Sequence, residues 1–125
     1  MNLATLTYQS IIAKYPHSEV FTMLREENIK VVQGLLPTGI DGMAVTAWGQ
    51  KYIYINNLLN LEQQRIVAAK GLGHHLMNPE KPVSFTSSYQ ASIENTKYED
   101  HAEQFASFLL KIENSSTVKT VSMAR

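Results

Sequence analysis

The chain has 125 residues, 44% of them hydrophobic and 18% charged, which suits one globular domain with its own core rather than a disordered segment. Eleven basic residues balance eleven acidic ones without a local Lys/Arg cluster, and there is no cysteine, so disulfides and thiolate metal sites are excluded and no direct nucleic-acid partner is expected. No segment has the length and apolar character of a membrane span, and residues 1–15 lack a signal-peptide pattern, so we expect a cytoplasmic protein without a membrane partner.

Two short helices are predicted at the start of the chain. Apolar residues recur at helical spacing as far as Tyr15, and Pro16 ends the first helix. Ser18 is the expected N-cap of the second helix, which ends near Asn28.

Three strands are predicted next, over residues 29–33, 43–48 and 51–56. Gly49-Gln50 is the expected tight turn between the last two. Trp48, Tyr52 and Tyr54 are either a ligand-binding aromatic face or cross-strand packing, and the packing interpretation is favoured.

Two longer helices are predicted in the second half of the chain. Asn60 and Gln63 have the spacing of a capping box, which opens a helix from residue 61 to about residue 77. Residues 80–95, including the Ser84–Ser88 run, are predicted as a loop, and residues 98–112 carry a regular apolar helical stripe. The expectation is an α+β fold, with a three-stranded antiparallel sheet packed against about four helices in one domain over residues 1–113, followed by a polar tail over residues 114–125.

Two segments carry a resemblance to a known family. Residues 69–79 read Ala-Lys-Gly-Leu-Gly-His-His-Leu-Met-Asn-Pro, and residues 99–110 read Glu-Asp-His-Ala-Glu-Gln-Phe-Ala-Ser-Phe-Leu-Leu. The first resembles the AHELGHxLxHP helix of the ImmA/IrrE family of metallopeptidases, and the second resembles that family's ExxAxxFAxxLL signature. The resemblance covers about residues 8–110 and implies a zincin-like domain.

The family's chemistry depends on two histidines four residues apart, which hold one Zn²⁺ from a single helix face. A glutamate beside the first histidine activates the metal-bound water, and a carboxylate from the later helix is the third protein ligand. By the resemblance this chain keeps the second histidine as His74 and the third ligand as Glu99. It has Lys70 in place of the first histidine and Gly71 in place of the catalytic glutamate. Because an ammonium offers zinc no lone pair and glycine cannot take a proton, we expect neither bound zinc nor catalysis.

The positions that depart from the pattern leave alternatives open. Lys70 is either an ordinary exposed lysine or points into the former metal pocket and pairs with Glu99, with nitrogen and oxygen within about 4 Å. Gly73 is expected to allow close helix packing, whereas Gly71 indicates relaxed selection or a close backbone approach. A rearranged zinc site built from His74, Glu99 and His101 is less favoured, because ligand geometry tolerates little error.

His75 is the neighbour of the retained histidine. It lies about 100° around the helix from His74, so it is expected to face another direction.

The resemblance implies a function that depends on a protein partner. Family members are commonly encoded in phages and mobile elements beside a helix-turn-helix repressor, which active members inactivate by cleavage. We expect an inactive homologue that binds such a repressor. The alternative is an active zinc metallopeptidase with a non-standard ligand set, and a structural module with an unrelated partner is a third possibility.

Overall fold

The computed structural model describes residues 2–77, 82–87 and 101–111. In chain order its elements are α1 (Leu3–Lys14), α2 (Val20–Glu26), β1 (Ile29–Gly34), β2 (Gly42–Ala47), β3 (Gln50–Asn56), α3 (Leu61–Met77), β4 (Val83–Phe85) and α4, which is described over residues 101–111. The α+β class and four helices are therefore confirmed for the described part of the chain. The predicted helix stripe is described only in its 101–111 part, and the 114–125 tail lies outside the described residues.

The N-cap of α2 differs from the prediction by one residue. Glu19, not Ser18, takes the extended cap conformation, and its side chain accepts a hydrogen bond from the backbone nitrogen of Thr22 at 3.0 Å. An N-cap side chain accepts from the backbone nitrogen of the second or third helical residue, and Thr22 is the third residue of the helix that begins at Val20. The helix ends as Asn28 takes a left-handed φ of 60°, a conformation that asparagine tolerates.

The N-terminus of α3 is the predicted capping box. The Asn60 side chain accepts from the backbone nitrogen of Gln63 at 2.8 Å, and the Gln63 side chain accepts from the backbone nitrogen of Asn60 at 3.0 Å. These reciprocal bonds satisfy two of the donors that every helix N-terminus leaves without a partner. The predicted span of this helix is confirmed, whereas its expected stop at Asn78-Pro79 lies outside the described residues.

The sheet has four strands in the order β1-β3-β2-β4, and it is mixed. β3 pairs antiparallel with β2 and β4 pairs antiparallel with β2, but β1 pairs parallel with β3. The predicted all-antiparallel sheet of three strands is therefore wrong in two respects. β2 lies between β1 and β3 in the sequence and runs in the opposite direction to both. β3 therefore runs in the same direction as β1, and the two strands pair in parallel.

The hairpin between β2 and β3 turns at Trp48-Gly49 and not at Gly49-Gln50. Ala47 pairs with Gln50, and the two residues between them have φ angles of 50° and 77°. Two positive φ angles are typical of the type I′ turns that suit twisted hairpins. Trp48 is fully exposed at this tip, so the packing interpretation is wrong for it. Tyr52 and Tyr54 stack on each other along β3, with ring centroids 6.1 Å apart.

The fourth strand lies where a loop was predicted. β4 adds to the free edge of β2, with Gly42 opposite Phe85. Asp41 fixes its far end, because its carboxylate accepts from the backbone nitrogen of Ser87 at 2.7 Å and its own nitrogen donates to the Phe85 carbonyl at 3.0 Å. Three residues are too few to show a strand periodicity in the sequence.

The core lies between α3 and the sheet, and the other helices enclose it. Ile53 and Ile55 of β3 are fully buried, as are Val67, Ala68 and Ala69 of α3. None of the helices in the described ranges combines the length and the apolar character that a membrane crossing requires.

Candidate functional site

The middle of α3 is surrounded by protein. Every residue from 67 to 75 is buried, including Lys70, His74 and His75. A helix buried on all faces has no solvent to satisfy polar side chains, so each must find its partners inside the protein.

Lys70 points into the interior. The residue is 2% exposed, and its Nζ donates to the Thr86 carbonyl oxygen at 2.8 Å and lies 3.4 Å from the Glu103 carboxylate. The alternative of an ordinary exposed lysine is therefore wrong. Lys70 joins the middle of α3 to the end of β4 and to α4.

The predicted pairing of Lys70 with Glu99 stays a prediction, because Glu99 lies outside the described residues. Sequence reasoning missed Glu103 as a partner of this lysine. Glu103 follows Glu99 by four residues in the sequence, and positions four apart share a helix face, so this spacing was the available signal.

Gly71 has a packing reason that the sequence did not reveal. A Cβ atom built at this position would lie 2.6, 2.8 and 3.0 Å from three side-chain carbons of Ile53. These distances are well inside ordinary carbon contacts of about 3.5–4.0 Å. Ile53 thus fills the space that a side chain at position 71 would need. Of the two earlier interpretations, the close approach is the correct one.

Gly73 plays the predicted role in helix packing. A Cβ there would meet the Phe105 ring at 2.9 Å and the Ala102 Cα at 3.4 Å, both on α4. The absent side chain therefore lets α3 and α4 approach closely.

The two histidines of α3 contact different strands, as their spacing predicts. His74 stacks on Phe85 of β4 with ring centroids 5.1 Å apart, and the Nε2 of His75 donates to the Tyr52 carbonyl oxygen of β3 at 2.8 Å. Burial, together with the smaller effects of the nearby charges of His75 and Lys70, lowers the pKa of His74 to about 4. Burial also lowers the pKa of His75. Both imidazoles are neutral at pH 7.

Two imidazole nitrogens are buried without a hydrogen-bond partner, the Nδ1 atoms of His74 and His101. Either could serve as a metal donor. Within residues 2–77, 82–87 and 101–111, however, no three His, Asp or Glu side chains are grouped so that they could share a metal ion. The rearranged set of His74, Glu99 and His101 stays a prediction, because Glu99 lies outside those ranges.

A comparison with protein families matches residues 24–113 to the IrrE N-terminal-like domain. The chain belongs to this family. The match covers β1 to β3, α3, β4 and α4, and so includes the degenerate motif. No curated protein matches the chain.

The IrrE N-terminal-like domain implies a zinc ion, and the described residues at the family positions do not fit one. Lys70 offers an ammonium where the family has an imidazole, and it is engaged with the Thr86 carbonyl and the Glu103 carboxylate. Gly71 offers no carboxylate for activating water. His74 is the one family donor that both remains and lies in the described residues, and catalytic zinc sites use three protein ligands.

Ile53 and Thr86 are the other site residues that sequence reasoning missed. Ile53 is an inward position of an alternating strand, which predicts burial but not what it contacts. Thr86 contributes a backbone oxygen, which its residue type cannot indicate.

Proposed function

We propose that this chain is a peptidase homologue without hydrolytic activity that acts in the cytoplasm by binding a protein partner. The observation that carries the proposal is the buried Lys70 ammonium at the position of a zinc ligand, held by a carbonyl and a carboxylate. The lysine gives this part of the interior a fixed positive charge without any metal.

The electrostatics of the centre support the proposal. The charge of Lys70 is among the causes that lower the pKa of His74, which means that it disfavours a positive charge on the imidazole. The same field disfavours a divalent cation at that imidazole, since the repulsion between like charges grows with their product. A zinc ion would have to displace the ammonium or bind beside it.

The packing at position 71 also supports the proposed absence of hydrolytic activity. The family's general base belongs at Gly71, and the Ile53 side chain occupies the space in front of it. A carboxylate there would need Ile53 to shrink or move. The two departures from the family pattern are therefore built into the surrounding structure.

The partner we propose is a helix-turn-helix repressor, on the analogy of active family members and of their phage and mobile-element setting. A protein that binds such a repressor without cutting it would act stoichiometrically. Because a fold does not by itself determine a partner, the partner must be identified independently. A pull-down from the native host, followed by a binding assay with the purified candidate, would do so.

A second candidate function is an active zinc peptidase with a non-standard ligand set. The two buried imidazole nitrogens without partners, on His74 and His101, favour it. It requires both to reach one metal together with Glu99, and it requires a general base from another position than Gly71.

Elemental analysis and a cleavage assay distinguish the two functions. We expect purified protein to carry no stoichiometric zinc and to leave a bound repressor intact. The matched comparison is the double variant Lys70→His/Gly71→Glu with and without Ile53→Ala. If only the triple variant folds or binds zinc, the packing of Ile53 against position 71 is what prevents zinc binding. Tightly held stoichiometric zinc in the unmodified chain, or cleavage that His74→Ala abolishes, would establish the second function instead.

A further inference from the structure

β1 forms one edge of the sheet, on the side away from β4. Beside it runs an open groove of about 510 Å³ between α2 and β1, lined by Phe21 and Arg25 of α2 and by residues 28–32. Lys70 donates to the Thr86 carbonyl, directly after the opposite edge strand β4, so this groove is separate from the degenerate centre.

The main chain of β1 is suited to pair with another strand. The backbone nitrogen of Asn57 donates to the Gly34 carbonyl at 2.9 Å, so the polar backbone groups of Gly34 point toward β3. Those groups alternate in direction along a strand that pairs on one side, so Val31 and Gln33 direct theirs outward. Within the described residues no strand lies on that side. An edge with exposed N–H and C=O groups is a template for strand addition.

The side chains around the groove select what can be added. Phe21, Ile29 and Val31 supply an apolar lining, and Val32 is 39% exposed at the edge. Both charged lining residues, Arg25 and Lys30, are basic and exposed.

Glu27, which precedes the lining residue Asn28 in the sequence, is engaged by other groups. Glu27 is bound by Lys14 at 2.7 Å and by the Tyr15 hydroxyl at 2.6 Å. Glu26, which is exposed beside Arg25 in the sequence, is not part of the groove lining, so the charged side chains of the lining itself are both basic.

We propose that β1 and this groove bind an extended, acidic segment of a partner protein, which adds to the sheet as a further strand. Its main chain pairs with the outward groups of Val31 and Gln33, an apolar side chain enters the groove, and its carboxylates meet Arg25 and Lys30. A second copy of this chain is disfavoured as the occupant, because two β1 edges brought together would also bring both copies' Arg25 and Lys30 together. The inference rests on the proposed function, because it takes the bound segment to be released without being cleaved.

The test begins with a displayed library of random decapeptides selected against the full chain. We expect the enriched peptides to alternate apolar and polar positions and to carry acidic residues. One enriched peptide is then synthesised with a fluorescent label for affinity measurements, together with a version in which lysines replace its acidic residues.

Two changes on the protein separate the main-chain and charge contributions. Gln33→Pro removes an outward N–H, and we expect it to weaken binding by about tenfold or more. Gln33→Ala is its control, since it deletes the same side chain and keeps the N–H.

The double variant Arg25→Glu/Lys30→Glu reverses the charge of the groove lining. We expect it to bind the acidic peptide about tenfold more weakly and to bind the lysine version more tightly. Lys111→Glu, on the exposed end of α4, should change neither affinity. Circular dichroism confirms that each variant folds.

Each outcome decides the inference. The inference is supported if acidic peptides are enriched, if they bind Gln33→Pro more weakly, and if the charge-reversed variant prefers the lysine version. No enrichment, a basic or helical consensus, or binding that both changes leave unaltered overturns it. Dimerisation through β1, seen by sedimentation and abolished by Gln33→Pro, also overturns it. Mass spectrometry of the recovered peptide tests the proposed function separately, because a cleaved peptide would refute the inactive homologue and leave the docking surface standing.

Discussion

Replacing Gly71 with alanine should destabilise this protein, contrary to the ordinary effect of that change in a helix. Alanine in place of a helix-interior glycine normally stabilises by about 1 kcal/mol. Here the new Cβ would lie 2.6–3.0 Å from three carbons of Ile53, which is fully buried, so the Ile53 side chain would have to shift within the core. Overpacking of this kind costs about 1–3 kcal/mol. The two effects leave a net loss of about 1 kcal/mol.

A double-mutant cycle with Ile53→Ala isolates the contact. Ile53→Ala alone should cost about 3 kcal/mol as a buried large-to-small change. In that background the three crowded carbons are gone, so Gly71→Ala should stabilise by about 1 kcal/mol. The sign of the glycine substitution should thus reverse, with a coupling of about 2 kcal/mol between the two positions.

The assay is urea unfolding followed by far-UV circular dichroism, since the single tryptophan, Trp48, is already exposed in the folded state. Gly34→Ala is the matched control, because nothing lies within 4 Å of its added Cβ. If Gly71→Ala stabilises the unmodified protein as it would an open helix position, the steric reasoning is wrong.

Three further changes test other parts of the structure. Lys70→Met should lower the free energy of unfolding by about 2 kcal/mol, because it removes a buried charged donor from a carbonyl and a carboxylate. The control, Lys111→Met on the surface, should change it by less than about 0.5 kcal/mol. Equal effects would show that the buried lysine stabilises the fold no more than a surface lysine. The pKa of His74, about 4 in the folded state against 6.5 ordinarily, lies below that of the unfolded chain, so the stability it contributes is complete above pH 6.5 and is lost as the pH falls toward 4. The loss amounts to about 3 kcal/mol, and His74→Gln should flatten the stability profile across that range; an unchanged profile would contradict the assignment. Asn60→Ala should cost about 1 kcal/mol through the lost cap of α3, measured by the same unfolding assay, and no measurable cost would mean that the capping bonds do not stabilise the helix.

Local chemistry explains what the sequence could predict. The capping box at Asn60 and the apolar stripe of α4 depend on residues within one or two turns of each other. The capping box is confirmed, and the stripe is confirmed for the part that lies in residues 101–111. The degenerate motif was also visible, because the two departures at Lys70 and Gly71 lie inside a segment whose register is otherwise fixed.

Long-range pairing explains what the sequence could not predict. The parallel pairing of β1 depends on which strands become neighbours, and β4 forms because Asp41 and the edge of β2 hold a segment that is too short to show a strand pattern. The contact between Gly71 and Ile53 joins residues eighteen positions apart on different elements. A glycine in a helix indicates that another residue packs closely against the helix, but the local sequence does not identify that residue.

The contact between Ile53 and Gly71 also affects the order in which substitutions could complete the family motif. A glutamate that arrived first at position 71 would collide with Ile53, whereas a smaller residue that arrived first at position 53 would leave a cavity beneath α3. Either single step lowers stability before the motif is complete, and Lys70 would have to change as well. Starting from this sequence, an evolutionary path to the complete family motif crosses less stable intermediates, so the packing itself opposes that change.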